Sequence, residues 1–232
     1  GHGMNMGSES LRLGTLYFLA IVLSLAFHEA AHALMAYVLG DSTAKDRGRL
    51  TLNPLVHLDT LGTIMIAFMA FQGMGIGWAK PVPVDTNSLK KSRYIGLVSL
   101  AGPLSNLILA VLGFQLFLLF QAILLPNIGL HVNIERLIID FLRVFVLVNI
   151  ALTAFNLLPV YPLDGAKVVS SLLPPTLSRQ FDAFFIKFGS WPLLFFVVWE
   201  WFFPFPGPLS FILGPFTRFL LQVLEKSAFW IM

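Results

Sequence analysis

The run Leu13–Leu39 reads LGTLYFLAIVLSLAFHEAAHALMAYVL and decides the fold: it exceeds the about 20 apolar residues that a helix needs to cross a bilayer. His28, Glu29 and His32 are set into its second half. Ionisable side chains inside a lipid-spanning helix are costly unless they face a cavity, a partner or a metal. Composition agrees that lipid is the solvent for most of the chain. Of 232 residues 57% are hydrophobic and 12% charged, and mean hydropathy is +0.81, whereas an ordinary globular chain is about 45–50% apolar and roughly 25% charged. The net charge of +3 rests on 15 Lys and Arg scattered between apolar runs. That pattern offers no footprint for nucleic acid and in a membrane protein reports orientation. The absence of cysteine excludes disulfides, thiol catalysis and iron–sulfur ligation, so a transition metal would have to be held by His, Asp or Glu.

Further apolar stretches of spanning length are Leu97–Leu125, Leu137–Val160 and roughly Ala183–Phe203, with shorter ones at Leu61–Trp78 and Leu209–Leu224. They predict an all-α polytopic membrane protein with about four to six transmembrane helices. Residues 1–6, beginning Gly-His-Gly-Met, read as a tag remnant and a disordered N-terminus, which sets His2 aside. Residues 7–232 are expected to form one membrane-embedded unit, with a core at about 13–175 and C-terminal anchoring helices at about 180–232. Within the interval Gly40–Gly96, Arg49–Leu52 and Pro81–Val84 alternate with period two beside prolines. This predicts a small membrane-associated β element built from edge strands.

His28-Glu29-Ala30-Ala31-His32 matches H-E-x-x-H on a segment that length already assigns to helix. Positions i and i+4 share a face about 6 Å apart along the axis, so both imidazoles can reach one Zn²⁺. Glu29, a neighbour rather than a ligand, can take a proton from an attacking water and return it to a leaving amine. A catalytic zinc usually keeps three protein ligands. For the third, the sequence offers His57, Asp59, His131, Asp140, Asp164 and Glu200. Asp140 has Arg143 three residues away, so a helical ion pair accounts for it. Glu200 lies between Trp199 and Trp201, and His131 in a polar break. Asp164 follows a long apolar run in Asn156-Leu-Leu-Pro-Val-Tyr-Pro-Leu-Asp-Gly165, where two prolines end a helix and Gly165 permits a turn that could re-aim a carboxylate.

The pairing of H-E-x-x-H with N-x-x-P-x-x-P-x-D-G resembles the site-2 protease family of intramembrane zinc metalloproteases. Asn53-Pro54-Leu-Val-His57-Leu-Asp59, Gly77-Trp78-Ala-Lys80-Pro81-Val-Pro83-Val and Ala101-Gly-Pro-Leu-Ser-Asn106 resemble its compact prokaryotic branch, which lacks PDZ and CBS domains. The resemblance implies that the membrane-embedded unit of residues 7–232 is a metalloprotease domain, with one Zn²⁺ held by His28, His32 and Asp164, Glu29 as general base, and a role for Asn156 in orienting substrate or the tetrahedral intermediate. It implies a transmembrane-protein substrate, such as a membrane-tethered regulator, cleaved within or beside its membrane segment in a prokaryotic cell membrane. Asn106, Ser105 and His57 are further polar candidates to line the water and substrate path, with loop bracing the alternative for His57 and helix packing for Asn106. One departure is Ala166-Lys167 after the Asp-Gly pair, where Gly and Arg are common in the family.

A parity argument bears on this placement. If one metal binds His28, His32 and Asp164, an even number of crossings separates them; Leu97–Leu125 and Leu137–Val160 supply two, so Leu61–Trp78 is expected to be re-entrant or interfacial. Lys80, Lys90, Lys91 and Arg93, with Lys167 and Arg179 two crossings later, place the site toward the cytoplasm by the positive-inside rule. The competing class is a metal transporter or an inactive membrane scaffold. Conduction calls for acidic or His residues repeated along several helices, whereas these converge on one helix and one proline-broken turn.

Overall fold

The computed structural model describes residues 2–73, 76–124, 129, 131–203 and 206–227; Gly1 of the tag reading, the Leu125 end of the second long stretch and the last residues of the anchoring region lie outside these. Nine α-helices carry the described residues. They are α1 His2–Val38, α2 Thr43–Asp46, α3 Thr60–Gln72, α4 Ile95–Leu119, α5 Val132–Asn156, α6 Asp164–Leu172, α7 Pro175–Phe188, α8 Trp191–Phe202 and α9 Pro208–Ser227. Among the described residues, three helical segments are long and apolar enough to cross a membrane, Gly7–Val38, Ile95–Ala122 and Val132–Asn156. The count becomes four if α7 and α8, bent by 65°, make one broken span. The Ala183–Phe203 stretch is therefore two helices, parted where Gly189 takes φ 56° and where Pro192 occupies the first turn of α8.

The three spans pack on one another, with α4 between α1, α5 and α6. Close approach follows from small residues: Ser99, Gly102, Asn106, Ala110 and Gly113 are buried at three- and four-residue spacing on α4, with Gly102 and Asn106 toward α1 and Gly113 toward Phe145 and Val146 of α5. Larger side chains fill the remaining space. Leu16, Ile21 and Leu25 of α1 meet Ile66 of α3 and Val144 and Val148 of α5, and Ala110 of α4, Val146 and Ile150 of α5 meet Leu220 and Leu224 of α9. Outward, Leu19, Leu23, Phe27, Leu104, Ile108, Leu112 and Leu147 are exposed, as lipid contact requires.

The Leu61–Trp78 stretch is a hairpin. Its helix, α3, has 13 residues, about 20 Å at 1.5 Å per residue, short of the roughly 30 Å hydrocarbon core. Asp59 caps its N-terminus and Gly73, at φ 69°, ends it. The chain then runs back along the helix it has just made: Gly77 lies against Ile66, and Gly62 lies against the Trp78 carbonyl so closely that a Cβ at either glycine would overlap its neighbour. Trp78 closes the hairpin by donating Nε1–H to Asp59 (3.1 Å). Both ends of the stretch therefore sit at one level.

The expected β element shrinks to a single antiparallel bridge, Leu58–Ala79, among the described residues. Lys80 N–H donates to His57 C=O (2.7 Å), but Pro81 and Pro83 have no N–H with which to extend the ladder. On the other strand Thr51 C=O is already taken by the His57 side chain (2.8 Å).

Candidate functional site

His28 and His32 lie on α1, one turn apart, with Nε2 atoms 3.0 Å from each other. Asp164, the first residue of α6, brings Oδ2 to 3.1 Å from His28 Nε2 and 3.2 Å from His32 Nε2. The carboxylate gets there because α5 stops at Asn156 and the chain turns through Leu157–Leu163 before α6 restarts. Gly165 serves that turn by close approach, since a Cβ there would overlap the Leu157 and Leu158 carbonyls; its φ is not positive. Gly102 of α4 plays the same part opposite, where a methyl would overlap both imidazoles.

Tautomers follow from the partners. His32 Nδ1 is 2.7 Å from the Val98 carbonyl, which can only accept, so Nδ1 carries the hydrogen and Nε2 presents a lone pair. His28 Nδ1 is 2.7 Å from Asn106 Oδ1, with the same consequence. Asp164 adds a carboxylate oxygen that faces both Nε2 atoms. Three lone-pair atoms, all within 4.8 Å of one another, thus converge on one point, an arrangement that a cation makes favourable. Ligand atoms around a tetrahedral zinc with bonds of about 2.0 Å lie roughly 3.3 Å apart, close to these separations. Two imidazoles and a carboxylate fit zinc by chemistry and by spacing.

Glu29 is buried beside this group, and its Oε2 accepts from Val82 N–H (3.1 Å). Val82 is the one N–H donor in Pro81-Val82-Pro83, so an extended segment is strapped across the glutamate. Arg49 holds the strap through Lys80 C=O (2.6 Å) and Pro81 C=O (3.4 Å), and Asp41 holds its far end through Asp85 N–H (2.7 Å).

The other candidates have partners elsewhere. His57 is buried with Nε2 on Thr51 C=O and Nδ1 3.4 Å from Arg49, bracing the loop rather than facing the His–His–Asp group. Asp59 caps α3, His131 caps α5 through Asn133 N–H (3.3 Å), and Glu200 accepts from Ser210 N–H (2.7 Å) at the start of α9. Asp140 pairs with Arg12 of α1 (2.6 Å), not with Arg143, whose guanidinium lies over the Phe117 ring. Asn156 donates to Leu152 C=O in its own helix (3.0 Å). Asn106 is fully buried, with its oxygen on His28 and its N–H₂ on Ser24 C=O (3.2 Å) and Asn149 Oδ1 (2.9 Å), so it stands behind a histidine and has no polar atom left for a substrate. Asn149 and Ser24 carry no motif in the sequence, and Arg49 stands out there only as the start of an extended stretch. A polar residue inside an apolar span was the available signal for the first two.

The family model for peptidase family M50 matches residues 124–197. A Bacillus subtilis protein named as a zinc metalloprotease, YwhC, is 41% identical over 190 residues, covering 78% of this chain and 83% of that protein. Rip2 of Mycolicibacterium smegmatis, also named as a zinc metalloprotease, is 31% identical over 218 residues, covering 85% of this chain and 78% of its own. No solved structure matches. Likeness running over most of the length of proteins so named, on a chain whose spans bring together a ligand set suited to zinc, means that this protein belongs to peptidase family M50, the site-2 proteases, and is a membrane zinc metalloendopeptidase.

Proposed function

We propose that the protein hydrolyses a peptide bond within or next to a transmembrane segment of a membrane-protein substrate, with His28, His32 and Asp164 holding Zn²⁺ and Glu29 as general base. The observation that carries this reading is the convergence of His28 Nε2, His32 Nε2 and Asp164 Oδ2 beside Glu29 inside a bundle of membrane-spanning helices. Bound zinc supplies Lewis acidity, lowering the pKa of water toward about 7 and polarising a carbonyl oxygen. Glu29 accepts the proton of the attacking water and delivers it to the leaving amine, with the Val82 N–H on Oε2 holding the carboxylate in place. A substrate helix hides its carbonyls in hydrogen bonds, so the cleaved segment must unwind before it reaches the site. Asn156, at the end of α5, supplies a donor for the developing oxyanion once its amide leaves the Leu152 carbonyl.

The metal-site end of the bundle carries Lys80, Lys90, Lys91, Arg93, Lys167 and Arg179 in its loops and short helices, which supports a cytoplasmic-facing site in a prokaryotic cell membrane. A substrate of the membrane-tethered regulator type fits that placement, since cleavage there frees its cytoplasmic part. The test compares membrane-protein fragments in cells expressing the intact chain and its Glu29→Gln form. Glu29→Gln is expected to keep zinc and lose cleavage by about 10²-fold or more. Retained cleavage with zinc in place overturns the assignment of the base.

A further inference from the structure

Behind His28 stands a buried chain of amides that runs in one direction. Ser24, Asn106 and Asn149 are all fully buried. Asn149 Nδ2 donates to Phe145 C=O (2.9 Å) and to Ser24 Oγ (2.8 Å). Asn149 Oδ1 accepts from Asn106 Nδ2, which also donates to Ser24 C=O, and Asn106 Oδ1 faces His28 Nδ1. An asparagine amide can be turned over, exchanging its donor and acceptor ends, and the network alone decides which way it lies. Here two backbone carbonyls decide it. The carbonyls of Phe145 and Ser24 have no hydrogen to give, so each must meet an N–H₂ group, which turns both amides the same way.

We propose that Asn149 is a positioning residue for the metal site, acting through Asn106 to fix the Nδ1–H tautomer of His28 and so keep the Nε2 lone pair on the ligand side. This rests on the ligand assignment proposed above. If Asn106 lay the other way, its N–H₂ would face His28 Nδ1; Nδ1 would then be the acceptor and the proton would move to Nε2, where it blocks ligation. Ser24 C=O opposes that flip by itself. Asn149 Oδ1 opposes it again, because a flip would set two amide oxygens against each other. His32 needs no such device, since Val98 C=O faces its Nδ1 directly. The two histidines thus reach one tautomer by different routes, one through a backbone carbonyl and one through two side chains drawn from α4 and α5.

The test uses the full-length chain in detergent, with zinc affinity read by chelator competition and the fold by thermal midpoint. Asn149→Leu removes the acceptor for Asn106, whereas Asn149→Asp keeps one and, protonated in this buried setting, still donates to the Phe145 carbonyl. Asn149→Leu is expected to weaken zinc binding about 10- to 100-fold, with Asn149→Asp within about threefold of the parent. Undiminished affinity in Asn149→Leu overturns the proposal, as does an equal loss in both variants, which would mark a packing role. If Asn149→Leu does not fold, Asn149→Ala is read the same way. A second measurement is independent of affinity: on the zinc-loaded protein with ¹⁵N-labelled histidine, the His28 Nδ1–H resonance is expected to exchange faster with solvent in Asn149→Leu than in Asn149→Asp. His28→Ala separates the two ideas. If it loses zinc while Asn149→Leu retains it, this inference alone fails; if His28→Ala binds zinc like the parent, the ligand assignment fails.

Discussion

Asp41 sits just past the first span, fully buried, with Oδ1 on Thr43 N–H (2.9 Å) and Oδ2 on Asp85 N–H (2.7 Å). Burial pushes its carboxyl up, but hydrogen bonds from Thr43 and Asp85 more than offset this and hold its pKa below the ordinary value. A pKa depressed by folding means that the ionised form favours the folded state. The contribution is complete above the unfolded-state pKa of about 3.9 and is lost as pH falls through that value toward the folded one. Asp41→Asn is therefore expected to destabilise the fold at neutral pH by about 1 kcal/mol for a lost hydrogen bond, lowering the thermal midpoint, and to flatten the decline expected of the parent between about pH 5 and 3. A pair of parallel midpoint-versus-pH curves would contradict this. The side chains around the metal site differ in how far sequence shows them. His28 and His32 announce themselves by four-residue spacing on an apolar helix, and Asp164 by a proline-broken turn. Arg49, Asn149 and Val82 do not, because their roles lie in bonds to residues 31, 43 and 53 positions away and, for Val82, in a backbone N–H that no side chain marks.

The segment Lys80–Asp85 behaves as an element although it is neither helix nor strand. Its prolines keep it from joining a sheet, so what orders it is a set of side chains from elsewhere: Arg49 on its carbonyls, Asp41 on its last N–H, Glu29 on its middle one. Alternation in the sequence showed that this stretch is extended but not that it lacks a partner strand, since pairing depends on N–H groups that proline removes. The helical elements were more legible. Length fixed α1, α4 and α5 as spans, while the break at Gly189 falls where Lys187, Gly189, Ser190 and Pro192 interrupt a stretch whose overall length alone suggests one span. Arg49 is the principal tie on the strap, buried and, among the described residues, without a carboxylate partner or a hydrogen bond at Nε. Arg49→Met keeps much of the apolar stem and removes the bonds to Lys80 and Pro81. It is expected to raise amide exchange at Val82 and Asp85 by about tenfold or more, with zinc content unchanged because no ligand lies on the strap. Unchanged protection in an exchange experiment would show that Asp41 and Glu29 suffice.

The whole molecule is polarised from end to end. Along α1, Arg12 and His28 are separated by 16 residues, about 24 Å of helix, and each is bound to α5 or to the turn that follows it. Arg12 meets Asp140 near the start of α5, and His28 meets Asp164 just beyond its end. These two contacts set α1 parallel to α5 without reference to a bilayer, and the returning hairpin of α3 keeps the parity that joins them. The arrangement makes a prediction that cysteine chemistry can read cleanly, because the chain has no cysteine of its own. Single cysteines at Leu55, Ser88 and Arg179, exposed positions at the metal-site end, are expected to react with an impermeant maleimide from one side of the membrane only. A cysteine at exposed Asn133, at the start of α5, is expected to react from the other. With the orientation proposed here, Asn133→Cys labels in intact cells and the other three only after permeabilisation. Labelling of Leu55→Cys and Ser88→Cys from opposite sides would mean that residues 61–78 cross the bilayer. That would also move Asp164 to the wrong face for His28, so the topology and the ligand set stand or fall on the same measurement.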